Sequence, residues 1–303
     1  MRAPAEARLH CFGYPCHLVL SHPDGDADEL MQIALGELAR LEGKFSSFDS
    51  ESIVGRINAM DENAQAIPLD DEAQSLFNYV TTLWENTGGA FDPTVSLLQA
   101  CYDESYSAGK TASCVRSKLP KVGWAKMEIG PGTARLGTPG MYIDLNSIVR
   151  PYVVDRVRKL LRKAGAASAL IDLDRDIATV GKQTDGSNWM HRLRHPRGSR
   201  TAIARLKLND GAFAIRGDFE RSLDYDGERF GRALNPADGR PIDGLVSVAV
   251  AADTCLEACT VATVARMKAA TDAVAWLEEQ PHRWMAIDRD MHCHGPLTPN
   301  TAI

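Results

Sequence analysis

The spacing of apolar and polar residues predicts several amphipathic helices. In the first of them, the apolar positions recurring every three or four residues are Leu30, Ala34, Leu38 and Leu41. The helices predicted in this way cover residues 28–44, 71–86, 254–269 and 272–279. The segment RPYVVDRVRKLLRKAG adds a helix from Pro151 to Gly165, since proline favours a first turn and glycine favours the position after the last.

Short apolar runs rich in β-branched residues predict strands between these helices. The runs are SALIDL, DIATVG, AFAIRG and LVSVAVAA. Because helices and strands are mixed without regular βα alternation, the pattern favours an α+β fold over a doubly wound parallel sheet. The polar stretch 182–200 is interpreted as a connector, and no internal repeat or linker interrupts the chain, so residues 1–303 are predicted to form one domain.

Composition narrows the possible partners and compartments. The 303 residues are 44% hydrophobic and 24% charged, which is typical of a globular protein. The net charge of −6 and the lack of a basic run argue against nucleic-acid binding. The first residues contain no apolar stretch long enough for a signal peptide or membrane span, so we expect a cytoplasmic protein unless a leader was trimmed. Seven cysteines without a CxxC pair argue against a disulfide framework.

The stretch TGGAFDPTVSLL, from Thr87 to Leu98, combines features that bring backbone and charge together. Paired glycines permit a positive φ or the close approach of a ligand. Asp92 precedes a proline, which holds it extended on a stiff corner. Taken alone, this stretch is more typical of a helix end followed by the start of the next element.

Five stretches, in this order along the chain, resemble the motifs of one family. They are SSFDSESIVGRIN (46–58), GGAFDPTVSLL (88–98), IDLNSIVRPYVVDRV (143–157), RALNPADGRPI (232–242) and CLEACTVATVA (255–265). Together they resemble the FAD:protein FMN transferases, the ApbE family, over approximately residues 12–276. The resemblance implies an ApbE-like α+β fold, with two intimately packed subdomains of mixed sheets flanked by helices and a cleft between them. It also implies binding of FAD with magnesium, and transfer of FMN to a Thr or Ser of a target protein.

The resemblance assigns site residues position by position. Contacts with the flavin nucleotide are expected from Phe12, Phe48, Ala90, Phe91, Asp92, Asp144, Arg150 and Leu234. Phe48 takes an aromatic position that is usually Tyr and is expected to stack on FAD. Arg232 is expected to neutralise charge in catalysis. Asp144 could instead cap the helix that follows it. The metal ligands are expected at Ser147, Cys259 and Thr263, although Ser147 alone could be a turn residue.

The sequence departs from the family where the metal should bind. Cys259 replaces the metal-binding Asp, and magnesium prefers oxygen ligands over a thiol. We therefore expect magnesium binding to be weak or absent. Cys255 and Cys259 lie four residues apart, where packing as small apolar residues is the favoured role. The histidines of MHCHG (291–295) offer metal donors, but adjacent residues of a strand point to opposite faces.

Four further departures introduce arginine at family site positions. They are Arg150, Arg175, Arg216 and Arg232. Because guanidinium groups bind phosphate and carboxylate, the arginines could form an anion pocket that no longer needs magnesium. Alternatively, they could pair with Asp174, Asp176 and Asp218. The activity predicted from the resemblance is FMN transfer; the alternatives are a catalytically inactive or metal-independent module that binds a flavin nucleotide, or an FAD pyrophosphatase.

Overall fold

The computed structural model describes residues 4–22, 26–61, 63–102, 108–194, 196, 202–218, 222–225 and 228–297. Its α-helices are α1 Ala27–Phe45, α2 Ile53–Asn58, α3 Asp71–Asn86, α4 Ala108–Lys118, α5 Asn146–Lys163, α6 Cys255–Arg266 and α7 Ala270–Glu278. Its strands are β1 Ala5–Cys11, β2 Tyr14–Ser21, β3 Ile67–Pro68, β4 Met127–Gly130, β5 Thr133–Leu136, β6 Ser168–Leu173, β7 Asp176–Val180, β8 Trp189–Arg194, β9 Ala202–Leu208, β10 Ala212–Gly217, β11 Ser222–Tyr225, β12 Glu228–Gly231, β13 Ser247–Ala252, β14 Arg283–Ile287 and β15 Cys293–His294. Short 3-10 helices cover Pro93–Tyr102, Leu119–Lys121 and Trp124–Lys126.

The chain divides into two compact units. The first unit contains Met1–Glu42, Ser147–Gly217 and Gly244–Ile303, and the second contains Gly43–Asn146 and Asp218–Asp243. Both units combine helices with antiparallel strands, so the prediction of an α+β fold is confirmed. Of the helices in the described part of the chain, none is long and apolar enough to cross a membrane.

An eight-stranded antiparallel sheet is the centre of the first unit. Its strand order is β1-β2-β6-β7-β10-β13-β14-β15. Helix α6 packs on β10 and β13, and its small residues Ala258, Cys259 and Ala262 lie in a core that also contains Val248 and Val250. The strands predicted from SALIDL, DIATVG, AFAIRG and LVSVAVAA are confirmed as β6, β7, β10 and β13.

Two acceptors hold the first turn of α6. The side chain of Thr254 accepts a hydrogen bond from the N–H of Glu257 at 3.2 Å. The Asp155 carboxylate, on α5, accepts from the N–H groups of Cys255 at 2.8 Å and Leu256 at 2.9 Å. Burial raises the pKa of Asp155, although these two hydrogen bonds oppose the shift. Asp155 therefore joins α5 to the start of α6 and satisfies donors that the helix itself leaves unpaired.

Removing this acceptor should measurably destabilise the first unit. We expect Asp155→Ala to lower the free energy of unfolding by about 2–3 kcal/mol, because two N–H groups lose their acceptor. Asp155→Asn keeps one side-chain oxygen and should lose about half as much. Urea denaturation followed by circular dichroism measures both variants. Equal stability of Asp155→Ala and wild type would contradict the capping role.

Helix α5 begins at Asn146, so the prediction that Pro151 starts it is wrong. A proline inside a helix has no N–H to donate to the carbonyl four residues earlier. That carbonyl belongs to Ser147, and it accepts a hydrogen bond from the Cys259 thiol at 3.1 Å. The helix continues through Pro151 because a side chain on α6 replaces the missing donor.

The prediction of a polar connector over 182–200 is also wrong for part of its length. Trp189–Arg194 forms β8, which pairs with β9 in a two-stranded antiparallel sheet. Trp189 and Leu193 are buried, whereas Met190 and Arg192 between them are exposed. The high polar content therefore belongs to a half-exposed strand. Residue 195 and residues 197–200 lie outside the described residues.

The second unit contains the three-stranded sheet β3-β5-β4 and the hairpin β11-β12. A disulfide between Cys101 and Cys114 joins the 3-10 helix Pro93–Tyr102 to α4. The sequence argued against a disulfide framework, and this single bond was not predicted. The two cysteines are 13 residues apart, a spacing that carries no signal in the sequence. Packing of Leu98 and Val115 in one hydrophobic cluster brings the two segments together.

Candidate functional site

The loop 46–52, which precedes α2, is fixed by its serines and a glycine. The Ser52 hydroxyl accepts from the N–H of Gly55 at 2.8 Å and donates to the carbonyl of Ser46 at 2.6 Å. A Cβ atom at position 55 would lie 1.9 Å from the carbonyl oxygen of Asp49. Only glycine permits this approach, so the packing of the loop against α2 requires glycine at position 55.

Phe48 is exposed on this fixed loop. Asn58, at the end of α2, holds the other side of the motif by exchanging hydrogen bonds of 2.9 and 2.8 Å with the backbone of Ile143. The side chain of Phe48, in contrast, is 75% exposed. A large apolar side chain held in water on a rigid loop is a candidate contact for a flat ligand.

Gly88 and Gly89 end helix α3. Their φ angles of 58° and 83° lie in the left-handed region that glycine adopts readily. The N–H groups of Ala90 and Phe91 donate to the carbonyl and the hydroxyl of Thr87, respectively, both at 3.1 Å. Backbone conformation therefore explains the two glycines, and the predicted contact of Ala90 and Phe91 with a ligand stays a prediction.

The Asp92 carboxylate stabilises the local fold. One oxygen accepts from the N–H of Thr94 at 2.9 Å and from its hydroxyl at 2.5 Å. The other oxygen accepts from the N–H of Trp124 at 2.7 Å, and Asp92 is only 5% exposed. The Asp-Pro-Thr sequence thus ties the start of a 3-10 helix to residue 124. The expected contact between Asp92 and a nucleotide stays a prediction.

Three other predicted residues lie in the second unit. Asp144 accepts from the N–H of Asn146 at 2.9 Å, as expected for the alternative role at the start of α5. Arg232 donates to the side-chain oxygen of Gln99 at 3.1 Å. Leu234 is buried in the hydrophobic cluster of this unit, so a ligand could reach only its backbone.

Phe12 lies in the first unit, in the two-residue turn between β1 and β2. Cys11 and Tyr14 pair across this turn, and both Phe12 and Gly13 have a positive φ, of 54° and 75°. Such turns match the twist of a hairpin. The side chain of Phe12 is fully buried, and its N–H donates to Glu42. A nucleotide contact through this residue would therefore need the turn backbone.

A second turn of the same type carries Asp174 and Arg175 between β6 and β7. Their φ angles are 49° and 74°. A positive φ is strained for a residue with a side chain. Hydrogen bonds from the N–H of Asp174 to Pro15 and from that of Ile215 to the Arg175 carbonyl, at 3.0 and 3.1 Å, hold the turn.

Three of the four arginines form ion pairs with acids of the first unit. Arg150 contacts Asp174 at 3.0 Å and Asp176 at 3.6 Å. Arg175 contacts Asp174 at 3.3 Å, and Arg216 contacts the fully buried Asp176 at 2.7 Å. The alternative of arginines paired with neighbouring acids is therefore confirmed for these three. In these pairs three guanidinium groups share two carboxylates.

The buried charges shift the pKa values of their neighbours. Burial is the largest single influence on the pKa of the Arg216 guanidinium and lowers it, but the charge of Asp176, the sulfur of Cys259 and the hydrogen bond to Asp176 together raise it, so the net shift is upward. Burial also raises the pKa of the Cys259 thiol, although the charge of Arg216 opposes that shift. Arg216 is therefore a cation beside a neutral thiol near pH 7.

The three residues expected to bind metal lie close together in the first unit. The sulfur of Cys259 is 3.1 Å from the carbonyl oxygen of Ser147 and 3.8 Å from the hydroxyl of Thr263. Arg216 donates to the same sulfur at 2.7 Å. The histidines of the 291–295 segment lie elsewhere in the chain, where His292 and His294 both contact Asp288.

Sequence reasoning missed the acids that organise the first unit. The sequence identifies Asp176 only as a possible partner of the site arginines, whereas the structure shows it fully buried and in contact with Arg150 and Arg216. Asp155 lies in the motif IDLNSIVRPYVVDRV (143–157), but its role as the cap of α6 is not evident from the sequence. A signal for Asp176 existed, since it opens the strand DIATV, in which Thr179 is the one other polar residue. Its two cationic partners come from distant segments.

Comparison with known proteins identifies the family to which the sequence is similar. The model of the ApbE family matches residues 12–287. The chain is 25% identical over 232 residues to the FAD:protein FMN transferase of Haemophilus influenzae, covering 73% of this chain and 67% of that protein. It is 24% identical over 223 residues to the Salmonella typhimurium protein of the same name, covering 70% and 63%.

A solved structure shares the fold. The ApbE protein of Thermotoga maritima superimposes with a TM-score of 0.83 at 24% sequence identity, covering 96% of each chain. This likeness concerns the fold alone, whereas the family model matches the sequence over most of the chain. The chain therefore belongs to the ApbE family.

Proposed function

We propose that this protein is an FAD:protein FMN transferase, which moves the FMN part of FAD to a Thr or Ser hydroxyl of a target protein. The observation that carries the proposal is the match of the family model over residues 12–287. The curated relatives from Haemophilus influenzae and Salmonella typhimurium bear this name. The exposed Phe48 on its rigid loop adds a surface suited to a flavin or adenine ring.

The proposed reaction is a phosphoryl transfer. The hydroxyl oxygen of the target bonds to the phosphorus on the FMN side, the pyrophosphate P–O bond breaks, AMP leaves, and the hydroxyl proton is released. Such reactions depend almost entirely on positioning and on neutralising charge. In this proposal Phe48, Asp92 and Asp144 position the nucleotide, and Arg232 balances the charge that develops on the phosphates.

The remaining predicted residues contribute to nucleotide binding through backbone groups or, for Arg150, through a guanidinium group held by its neighbours. The turn at Phe12, the segment Ala90–Phe91 and the chain at Leu234 present backbone groups to the nucleotide in this proposal. Arg150 supports the same binding through the position of its guanidinium, which lies 4.1 Å from the ring of Tyr14. The family resemblance also implies magnesium, but a thiol and a guanidinium group do not suit a hard cation, so no step is assigned to it.

Removing the exposed ring should weaken nucleotide binding without harming the fold. We expect Phe48→Ala to raise the dissociation constant for FAD by roughly three- to tenfold, the effect of losing one stacked aromatic contact. Phe48→Tyr keeps the ring and should bind FAD as tightly as wild type or more tightly. Titration with FAD, followed by quenching of flavin fluorescence, measures the three proteins. If Phe48→Ala binds like wild type, Phe48 is not part of the site.

The reaction itself separates the transferase from its alternatives. Incubation with FAD and a candidate target should release AMP and leave a fluorescent flavin on the target after denaturing electrophoresis. Release of AMP with free FMN would indicate a pyrophosphatase instead. Binding of FAD without release of AMP would indicate a catalytically inactive module.

The disulfide gives a separate test of the compartment. Disulfides persist in oxidising compartments and are rare in the cytoplasm. Because Cys101 and Cys114 are bonded, we expect denatured protein prepared without reductant to show five free thiols. Seven thiols, the full cysteine content of the sequence, would instead agree with the predicted cytoplasmic location.

A further inference from the structure

The side chain of Cys259 is the centre of a small polar cluster in the first unit. We call this the Arg216 cluster, and its members are Ser147, Asp176, Arg216, Cys259 and Thr263. The thiol donates to the Ser147 carbonyl at 3.1 Å, and its sulfur lies 3.8 Å from the Thr263 hydroxyl. Arg216 donates to the same sulfur at 2.7 Å. The sulfur of Cys259 therefore contacts the Ser147 carbonyl and the Thr263 hydroxyl, the two oxygen groups that could otherwise bind a metal ion.

The backbone of α5 explains why the Ser147 carbonyl is available. Pro151 stands four residues further on and has no N–H to donate to that carbonyl. In this chain the thiol of Cys259 supplies the hydrogen bond. Pro151 and Cys259 thus complement each other, and the carbonyl oxygen already has a donor at the position where a cation would bind.

The sheet holds Arg216 in place. Arg216 lies on β10 opposite Val248 of β13, and Asp176 pairs with Ala214 of the same strand. The side chain of Arg216 is mostly buried, and one of its nitrogens lies 2.7 Å from the fully buried Asp176 carboxylate. Removing this guanidinium from Asp176 would leave a buried carboxylate without its closest cation. The fold therefore requires the Arg216 guanidinium at this position, as the counter-charge of Asp176.

The donor set does not suit magnesium. A magnesium ion requires close to octahedral coordination by oxygen atoms, and a thiol is a poor substitute. A guanidinium beside the sulfur would also repel a second cation at that position. Cys259 and Arg216, the two departures from the family, therefore both weaken the binding of magnesium.

We infer that the Arg216 guanidinium takes the place of the divalent cation, so that this protein binds its nucleotide without a metal ion. The first part concerns the Arg216 cluster alone and is independent of the reaction. The second part rests on the proposed function, because it assumes a flavin nucleotide as the ligand.

Manganese is a suitable probe of the cluster because it binds to the same oxygen ligands as magnesium and is detected by electron paramagnetic resonance. Four proteins are compared: wild type, Cys259→Asp, Arg216→Ser and the double variant Arg216→Ser/Cys259→Asp. We expect the wild type to bind manganese weakly at most. Cys259→Asp should gain little, because the new carboxylate would pair with Arg216. The double variant should bind at least about tenfold more tightly than either single variant, since it restores an oxygen ligand and removes the competing cation.

Tight manganese binding by wild type, displaced by magnesium, would overturn the inference. A folded double variant without any gain in affinity would also overturn it, because Arg216 and Cys259 would then not be what excludes the metal. If the double variant fails to fold, as judged by circular dichroism, the wild-type titration still decides.

FAD titrations in EDTA and in millimolar magnesium test the second part. We expect the wild-type dissociation constants to agree within about twofold, because no metal ion takes part. Tenfold tighter binding in magnesium would overturn metal independence. Absence of FAD binding in both conditions would reject the proposed function and with it the second part, while the manganese result would still decide the first.

Discussion

Asp176→Ala should lower the free energy of unfolding of the first unit by about 3–5 kcal/mol, the usual result of removing one partner from a buried ion pair. Asp176 is fully buried and lies 2.7 Å from Arg216 and 3.6 Å from Arg150. Arg150 keeps Asp174 in this variant, but Arg216 loses its carboxylate. The loss comes from a guanidinium that stays buried without a counter-charge, and thermal or urea unfolding measures it.

Two further variants test whether charge is the cause. Asp176→Asn keeps the shape of the side chain and removes its charge, so it should be nearly as destabilising as Asp176→Ala. The double variant Asp176→Ala/Arg216→Met removes both charges and should recover most of the lost stability, because a buried pair replaced by apolar groups is often neutral. A loss below about 1 kcal/mol for Asp176→Ala would show that Arg216 finds solvent or another acceptor.

The pattern of apolar residues was sufficient for the main elements of the first unit. The predicted helix 254–269 corresponds to α6, Cys255–Arg266, and SALIDL matches β6, Ser168–Leu173. In these segments the apolar residues predicted to face the core are the ones that the structure buries. Tertiary contacts therefore support the local prediction. The helix 71–86 is reproduced by α3 because Asp70 caps its start and the glycines end it.

Where prediction failed, a distant residue decided the outcome. Pro151 favours a helix start by local rules, but the thiol of Cys259, 112 residues from Ser147, allows the helix to begin earlier. Cys101 and Cys114 have no motif, and only the packing of their helices brings them together. The strand at 189–194 could not be recognised from the sequence because it lies within the mostly polar stretch 182–200.

The predicted site residues also fall into two groups, those exposed to a ligand and those bonded within the protein. Phe48 is an exposed aromatic residue on a rigid loop, as a ligand contact requires. Asp92 has its carboxylate oxygens bonded to Thr94 and Trp124. A sequence motif does not distinguish these cases, because residues that hold a loop and residues that contact a ligand through that loop occur together in one motif. The prediction that the motif residues border one cleft stays a prediction.

Arg232→Ala should lower the rate of FMN transfer by about 10²–10³-fold, the usual loss when a donor to a developing negative charge is removed. Arg232 differs from Arg150 and Arg216 because the partner found for it is the neutral amide of Gln99, at 3.1 Å. Its positive charge is therefore not balanced by that contact. A guanidinium group held by a neutral amide keeps its full charge for a phosphate group.

The test of Arg232 must separate binding from chemistry. AMP release under saturating FAD gives the rate, and fluorescence titration gives the dissociation constant. Arg232→Lys keeps the charge without the planar fork and should fall between Arg232→Ala and wild type. Arg240→Ala is a matched control, because Arg240 is an exposed arginine of the same 232–242 segment and should change the rate less than about twofold. If Arg232→Ala and Arg240→Ala both react at the wild-type rate, Arg232 does not take part in catalysis. If Arg232→Ala weakens only FAD binding, its charge acts equally on substrate and transition state.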